Sequence, residues 1–268
     1  KILGLETQAR GPPPRRPPAL PRAQAAMGEE GAIREHEVYY ATLAEQAERY
    51  DEMAEHMRNA CMFDQELDAE ERNLLAVAYK QAVGQRRSSW RIVSNVEIAE
   101  KAKGNAMTEA KAREYRKTIE GELKTHCDRI LALLADQLIP GATSAEAKVS
   151  FFKAQGDYHR YIAEISDNVD KTNATRAAKA SYEDGTRIAE VSLPVTSPFR
   201  LGLALNRAVF HYEVMSSPAE AVRIGRKAFE DAVREIDNLG EEGAKESALV
   251  MQLLRDNLTL WTADSGDN

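Results

Sequence analysis

No proline occurs between Gly31 and Ile139, and that absence constrains the fold more than any motif in the chain. A β protein places proline and glycine at frequent turns, so a span this long without proline predicts a run of helices. In the stretch from Ala76 to Arg91, Val77, Ala78 and Val83 fall at helical spacing and not at the alternation of a strand. Asp68-x-x-Glu71, Thr143-x-x-Glu146 and Ser217-Pro218-x-Glu220 predict capping boxes at helix starts, the last with proline in the first turn. Breaks are expected at Ile139-Pro140-Gly141, from Leu193-Pro194 to Ser197-Pro198, and over residues 239–243. Long amphipathic segments with short breaks pack as antiparallel neighbours. The chain is expected to be all-α.

Residues 1–26 have a different composition. Gly11-Pro12-Pro13-Pro14-Arg15-Arg16-Pro17-Pro18 favours polyproline II, and no hydrophobic period runs through the segment. Met27 has the look of an initiator, so residues 1–26 are read as a disordered leader, added or upstream of the fold. A ligand for an SH3-type groove and an Arg-rich transit peptide are the functional alternatives, although proline this dense does not make the amphipathic helix of a transit signal. The folded domain is expected over residues 27–264, with residues 265–268 opening a C-terminal tail.

The charge narrows the function. At a net −7 the chain lacks the basic footprint that a general nucleic-acid binder needs to release counterions. No apolar run reaches membrane-spanning length. Cys61 and Cys127 are far apart and sit in no Cys-x-x-Cys pair, which suits a reducing compartment, and the expected location is cytoplasmic. Catalytic and cofactor signatures are missing too. The five histidines are scattered, none has a glutamate three residues before it, and there is no glycine-rich phosphate loop. No cofactor, no metal and no enzyme activity are expected.

Against that background a basic stripe stands out. Lys80, Arg87 and Arg91 project from one side of a helix, with no acidic residue between Tyr79 and Arg91. Such a stripe is either an anion site or a solvated face, and spacing alone leaves both open. Three other stretches bear on it. On a helix Lys153, Asp157, Arg160 and Tyr161 share a face, giving two cations, a carboxylate to orient them and a phenol donor. A Lys–Asp pair beside a core tyrosine is the plainer reading. Asn206, Val209 and Glu213 align, and so do Leu249, Leu253, Asn257 and Trp261, with Val250 and Leu260 beside them. An asparagine among apolar neighbours is costly to bury unpaired and makes sense where an incoming backbone partners it.

These stretches resemble the 14-3-3 family. The matching blocks are Leu43-Ala-Glu-Gln-Ala-Glu-Arg-Tyr-Asp51, Glu70-Glu-Arg-Asn-Leu-Leu75, the run from Tyr79 through Arg-Arg-Ser-Ser-Trp-Arg91, Gly156-Asp-Tyr-His-Arg-Tyr161, residues 200–206 and residues 251–262. The resemblance covers essentially all of residues 43–264. It implies a bundle of nine antiparallel helices forming a cup-shaped dimer, with one amphipathic groove per subunit for a phosphoserine or phosphothreonine peptide. Carried over by position, Lys80, Arg87, Arg160 and Tyr161 match the family's phosphate clamp, and Asn206 and Asn257 match the pair that holds the ligand backbone. Leu205, Val209, Leu249, Val250, Leu253, Leu260 and Trp261 match the apolar wall, with Lys153 and Glu213 flanking the groove. The implied partners are phosphorylated client proteins and the chain itself, as a homodimer or with paralogues as a heterodimer; a phosphate-independent helical scaffold is the alternative.

For the dimer, the resemblance implies N-terminal helices packed on the region around Tyr115, with Arg49 and Glu122 forming one ion pair. Glu52 keeps the acid of a second pair, but Thr118 stands where its partner is expected. The segment from Val96 to Ala112 also differs from the family pattern and is longer. Ser89, after Arg86-Arg87, matches a phosphosite at the subunit contact. Ser217-Pro218 resembles a proline-directed site, but a helix cap is the favoured reading.

Overall fold

In the computed structural model, residues 29–266 are described apart from Asp64 and Leu239, and the chain is helical nearly throughout, with no strand among the described residues. The expected leader, residues 1–26 with Met27, lies outside the described residues. So do residues 267 and 268 of the expected tail, while the last helix runs on to Gly266.

Nine long helices are present among the described residues, joined by short links. They are α1 Glu29–Gln46, α2 Tyr50–Ala60, α3 Ala69–Ala102, α4 Ala106–Leu133, α5 Ala145–Ile165, α6 Asn168–Ser192, α7 Pro198–Glu213, α8 Pro218–Glu235 and α9 Glu241–Gly266. Together they form two compact units, one ending at Gly141 and the other beginning at Ala142.

In the N-terminal unit α3 and α4 form a long hairpin. Its reversal is made at Gly104, whose φ of +77° is natural only for glycine. Leu75, Ala78, Tyr79, Ala82 and Val83 line the buried stripe of α3, where the alanines let neighbouring backbones approach. At the start of α3 the Asp68 side chain accepts from the Glu71 backbone N–H at 2.9 Å, and Glu71 accepts from Asp68 N–H at 2.9 Å. This is the expected capping box. Glu71 has a second task, because both its oxygens accept from the Arg34 guanidinium of α1 at 2.8 and 2.7 Å in a buried fork. Breaking a buried pair of this kind costs about 3–5 kcal/mol, so one carboxylate both starts α3 and ties α1 to it.

The break expected at Ile139-Pro140-Gly141 falls just after it, at Ala142-Thr143-Ser144. The chain leaves α4 through a π turn, Leu134–Leu138, and stays helical through Ile139–Gly141. Proline cannot donate its hydrogen bond in a helix, and the widened turn ahead of Pro140 accommodates that loss. The next cap is also shifted by one residue. Ser144, not Thr143, is the N-cap of α5, its hydroxyl accepting from Ala147 N–H at 3.1 Å. At α8 Ser217 is the N-cap residue and Pro218 follows it, but the Ser217 side chain makes no capping bond. Glu220, the other half of the expected box, is held by Arg223 at 2.6 and 2.7 Å instead.

The C-terminal unit has two buried clusters that meet at α7. One joins α7, α8 and α9 through Leu205, Val209, Ile224, Val250, Leu254 and Trp261. The other joins α5, α6 and α7 through Val149, Ala178, Tyr182, Leu203 and Phe210. α7 therefore buries apolar side chains on two sides, against α8 and α9 and against α5 and α6. A polar side chain buried on it, as Asn206 is, needs a partner inside the unit.

Candidate anion-binding site

That requirement is met at Asn206. Its amide nitrogen donates to both oxygens of Asp157 on α5, at 2.9 and 2.8 Å. Asp157 is itself buried and accepts from Tyr182 Oη of α6 at 2.6 Å and from Lys153 Nζ, one helical turn back, at 2.9 Å. One carboxylate thus takes donors from three helices. Burial pushes the Asp157 pKa up, but Lys153 and Arg160 nearby, with the bonds from Lys153 and Tyr182, outweigh it and hold the carboxyl below its ordinary value. The Tyr182 hydroxyl moves the other way, well above its ordinary value, through burial first and the Asp157 charge second.

Arg160, one turn beyond Asp157 on α5, is equally enclosed. Its Nε donates to Tyr182 Oη at 3.3 Å, its Nη2 to Asp157 at 3.4 Å and its Nη1 to Glu213 of α7 at 3.4 Å. The guanidinium carbon lies 4.7 Å from the centroid of the Tyr161 ring, in cation–π range. These three bonds sit at the long end of hydrogen-bond geometry, where a fully charged oxyanion at the usual distance of about 2.7–2.9 Å competes well. Lys153, Arg160, Tyr161, Asn206 and Glu213 are therefore one cluster, with Asp157 and Tyr182 beneath it. Two cations face two carboxylates there, so the cluster is neutral as it stands.

Gly156 explains how Tyr182 comes close enough. A Cβ at that position would lie 2.6–2.8 Å from three atoms of the Tyr182 ring, and the ring is fixed by its bond to Asp157. Alanine improves helix propensity by about 1 kcal/mol, but overpacking a core costs about 1–3 kcal/mol. Gly156→Ala is expected to be destabilised by about 1–2 kcal/mol in urea denaturation. A neutral or stabilised variant would show that the ring gives way.

The apolar positions divide by depth. Leu205 and Trp261 have no exposed surface, and neither has Asn257 between Leu253 and Trp261 on α9. The Trp261 ring stacks on Tyr212, with centroids 5.4 Å apart. Val209, Val250 and Leu253 are buried in the same cluster, and Leu260 is half-buried. Leu249 is the open one, 51% exposed. A docked chain meets Leu249 directly, whereas Leu205, Asn257 and Trp261 reach it only if side chains move.

In the N-terminal unit Lys80 is half-buried on α3, Arg87 is buried and Arg91 is exposed. Burial raises the Cys127 thiol to about 12, with Asp128 adding to the rise and Arg87 opposing it. Cys61 is also raised to about 12 by burial, and both cysteines are buried and unbridged, as small apolar core residues are. Arg49 donates from Nε to Glu52 at 2.8 Å, and Glu122 accepts from Arg86 Nε at 3.2 Å. Thr118 donates to the Glu114 carbonyl of its own helix, at 3.4 Å, while Tyr115 is 61% exposed. Ser89 is exposed, its hydroxyl donating to the Gln85 carbonyl at 3.0 Å. Among the described residues no group of histidine, cysteine and acidic side chains is placed to hold a metal. No described helix is long and apolar enough to cross a membrane.

Tyr182 and Gly156 are the members that spacing did not single out. The available signal was a tyrosine, not a phenylalanine, in the small-residue stripe Ala178-x-x-Ser181-Tyr182-x-x-Gly185, since a buried phenol needs a partner for its hydroxyl.

An all-helical chain with a buried, carboxylate-aligned arginine beside an in-helix asparagine has well-defined relatives. The family model described as 14-3-3 protein matches residues 40–262. The chain is 52% identical over 236 residues to a 14-3-3-like protein of Chlamydomonas reinhardtii, covering 87% of this chain and 91% of that one. It is 51% identical over 239 residues to the 14-3-3-like protein GF14-F of Oryza sativa, covering 88% and 92%. It is also 52% identical over 239 residues to a 14-3-3 protein homolog of Neospora caninum, covering 87% and 90%. The chain belongs to the 14-3-3 family, whose members are client-binding adaptors and not enzymes.

Proposed function

We propose that this adaptor binds client proteins through phosphoserine or phosphothreonine motifs, with Arg160 and Tyr161 gripping the phosphate together with Lys80 and Arg87. The observation that carries the reading is the enclosed Arg160 guanidinium, oriented by Asp157, Tyr182 and Glu213. A phosphate brings nearly two negative charges and three acceptor oxygens, and forms about one to three charge-assisted bonds where arginines meet it. Because the cluster around Arg160 is neutral, a dianion also needs Lys80 and Arg87. An unphosphorylated serine has no charge to offset the desolvation of these groups, so binding becomes conditional on a kinase.

Asn206 supports the reading from the ligand side. Its amide nitrogen is committed to Asp157, which orients the carbonyl end; no described residue donates to that oxygen, and a peptide N–H is its natural partner. Leu249, open to solvent, receives whatever flanks the phosphosite, with Leu205 and Trp261 backing the wall from the core. Asn257 takes a second backbone contact only once the side chains that cover it move aside. Lys153 and Glu213 border the groove. This pattern reads main chain and phosphate more than sequence, which lets many clients fit.

The working form we propose is a cytoplasmic homodimer. The exposed Tyr115, with Leu43 and Ile92 also exposed in the N-terminal unit, supports an apolar contact. Arg49, Glu52 and Glu122 lie at its rim, where losing the pair at Thr118 costs about 1 kcal/mol or less. A phosphate on the exposed Ser89 would set charge against that contact, and Ser217 is the weaker candidate for modification.

The function is tested by capture from a cell lysate split into phosphatase-treated and untreated halves. Proteins retained by the chain are expected to disappear from the treated half. An unchanged set would support the phosphate-independent scaffold.

A further inference from the structure

α7 has two sides. Asn206, Val209 and Glu213 lie on one; Arg200, Leu203, Ala204 and Arg207, spaced three, four and seven residues from the first, lie on the other. On that second side, bounded also by α6 and α8, is a cavity of about 130 Å³ that none of the groove residues lines. An apolar cavity of about 150 Å³ is enough to take a benzene ring.

Its polar lining is mostly cationic: Arg200, Arg207, Arg223 and Lys227 against Glu190 and Asp231, on a chain whose net charge is −7. Two of the cations are already paired, Arg223 with Glu220 and Lys227 with Asp231 at 2.6 Å. The other two make no direct ion pair among the described residues, although the Arg207 charge helps, after Arg223, to hold the nearby Glu220 carboxyl below its ordinary value. Arg200 donates to the Leu193 and Ala189 carbonyls at 2.8 and 3.3 Å, closing the end of α6. Arg207 has a single long bond, from Nη1 to Thr186 Oγ1 at 3.4 Å, and its Nε is buried without a hydrogen-bond partner. A guanidinium donor left unmet inside a folded unit is destabilising, and this one lies beside a cavity. The remaining wall is apolar, with Leu203, Ala204 and Ile224.

We propose that this cavity is a second anion site, which takes a small organic oxyanion, its phosphate or carboxylate group on Arg207 and Arg200 and its apolar body on Leu203, Ala204 and Ile224. The site is independent of the groove: it shares no residue with it and stands or falls apart from the phosphopeptide reading. Arg207 supplies the unmet donors and Arg200 the fixed charge. The paired Arg223 and Lys227 set the rim, where an exchange of partners adds two further donors for a phosphate but not for a smaller carboxylate.

The test uses the full chain carrying Lys80→Glu, so that the groove does not compete, titrated with phenyl phosphate, benzoate and the neutral benzyl alcohol. Saturable binding of at least one of the two anions, one per chain, is expected, weaker by about tenfold or more for the alcohol and after Arg207→Met. Phenyl phosphate ahead of benzoate identifies phosphate as the favoured group, and the reverse identifies carboxylate. Arg207→Met on the natural background is expected to keep phosphopeptide binding, which separates a lost site from a lost fold. Should Arg207→Met not fold, amide NMR shifts of the unaltered chain decide: with phenyl phosphate they are expected at residues 200–207 and 223–228 as well as in the groove. The absence of saturable anion binding, equal binding by the alcohol, indifference to Arg207→Met in a folded variant, or shifts confined to the groove would overturn the proposal.

Discussion

Replacing Asp157 with alanine is expected to lower the stability of the chain by about 3–5 kcal/mol, the range for removing one partner from a buried, hydrogen-bonded charge cluster. The change strands more than one group. Tyr182 Oη and the Asn206 amide lose a buried acceptor, and Lys153 and Arg160 lose the carboxylate between them. Asp157→Asn keeps an acceptor of the same shape and is expected to cost about half as much. The loss is tied to pH. A carboxyl whose folded pKa lies below its ordinary 3.8 contributes stability above that value, and the contribution fades as pH falls through the lower folded value. The gap between the parent chain and Asp157→Ala, measured by urea denaturation, is therefore expected to be full at pH 7 and to shrink below about pH 4. A gap under about 1 kcal/mol at pH 7 would mean that Asp157 does not organise the three helices.

Lys80→Glu is expected to act on binding and not on folding. Lys80 is only half-buried, and the substitution exchanges one long charged side chain for another at a helical position. In the proposed clamp it turns an attraction for the phosphate into a repulsion. Losing one partner of a desolvated charge pair at an interface costs about 2–5 kcal/mol, which corresponds to roughly 30-fold to several-thousand-fold in affinity. The reversal places Lys80→Glu toward the upper end. The variant should show the parent's circular dichroism and thermal midpoint with phosphopeptide binding lost. A folded variant that still binds within about threefold would remove Lys80 from the clamp.

The apolar wall is tested less directly, for a reason the burial makes plain. Val250→Asp would put a carboxylate into the cluster shared by α7, α8 and α9, and would report on folding first. Leu249, open to solvent, is the position where a polar substitution reads the wall itself.

How much of this was legible beforehand differs by kind of feature. The helical class followed from the long proline-free span, because proline and hydrophobic period are local properties of the chain. Caps were only partly legible. Asp68 and Glu71 cap each other as their spacing implies, whereas Ser144 displaces Thr143 as the cap of α5 and Arg223 draws Glu220 away from Ser217. A capping motif fixes which residues are able to bond and leaves competition among neighbours open. Pro140 placed the break a few residues early for a related reason: a π turn absorbs its missing donor and the helix runs on to Gly141, and nothing in Ile-Pro-Gly announces one.

At the site, Asp157 was legible as an orienting carboxylate because Lys153 and Arg160 lie within one turn of it on the same helix. Tyr182 and the bond from Asn206 were not, since they arrive from α6 and α7 and depend on tertiary packing. The cost of burying an asparagine pointed to a missing partner but not to its identity, and Asp157 takes half of that role. Depth was equally hidden. A periodic apolar stripe on α9 does not separate the exposed Leu249 from Trp261 at the centre of the core.

The central claim is that binding depends on a phosphate, and the most direct measurement compares two forms of one ligand. A labelled Arg-x-x-phosphoSer-x-Pro peptide and its dephosphorylated twin are titrated into the same preparation of the chain. Two charge-assisted bonds at about 1.5–3 kcal/mol each predict that the phosphopeptide binds at least about a hundredfold more tightly. Equal affinities for the two peptides would contradict the account.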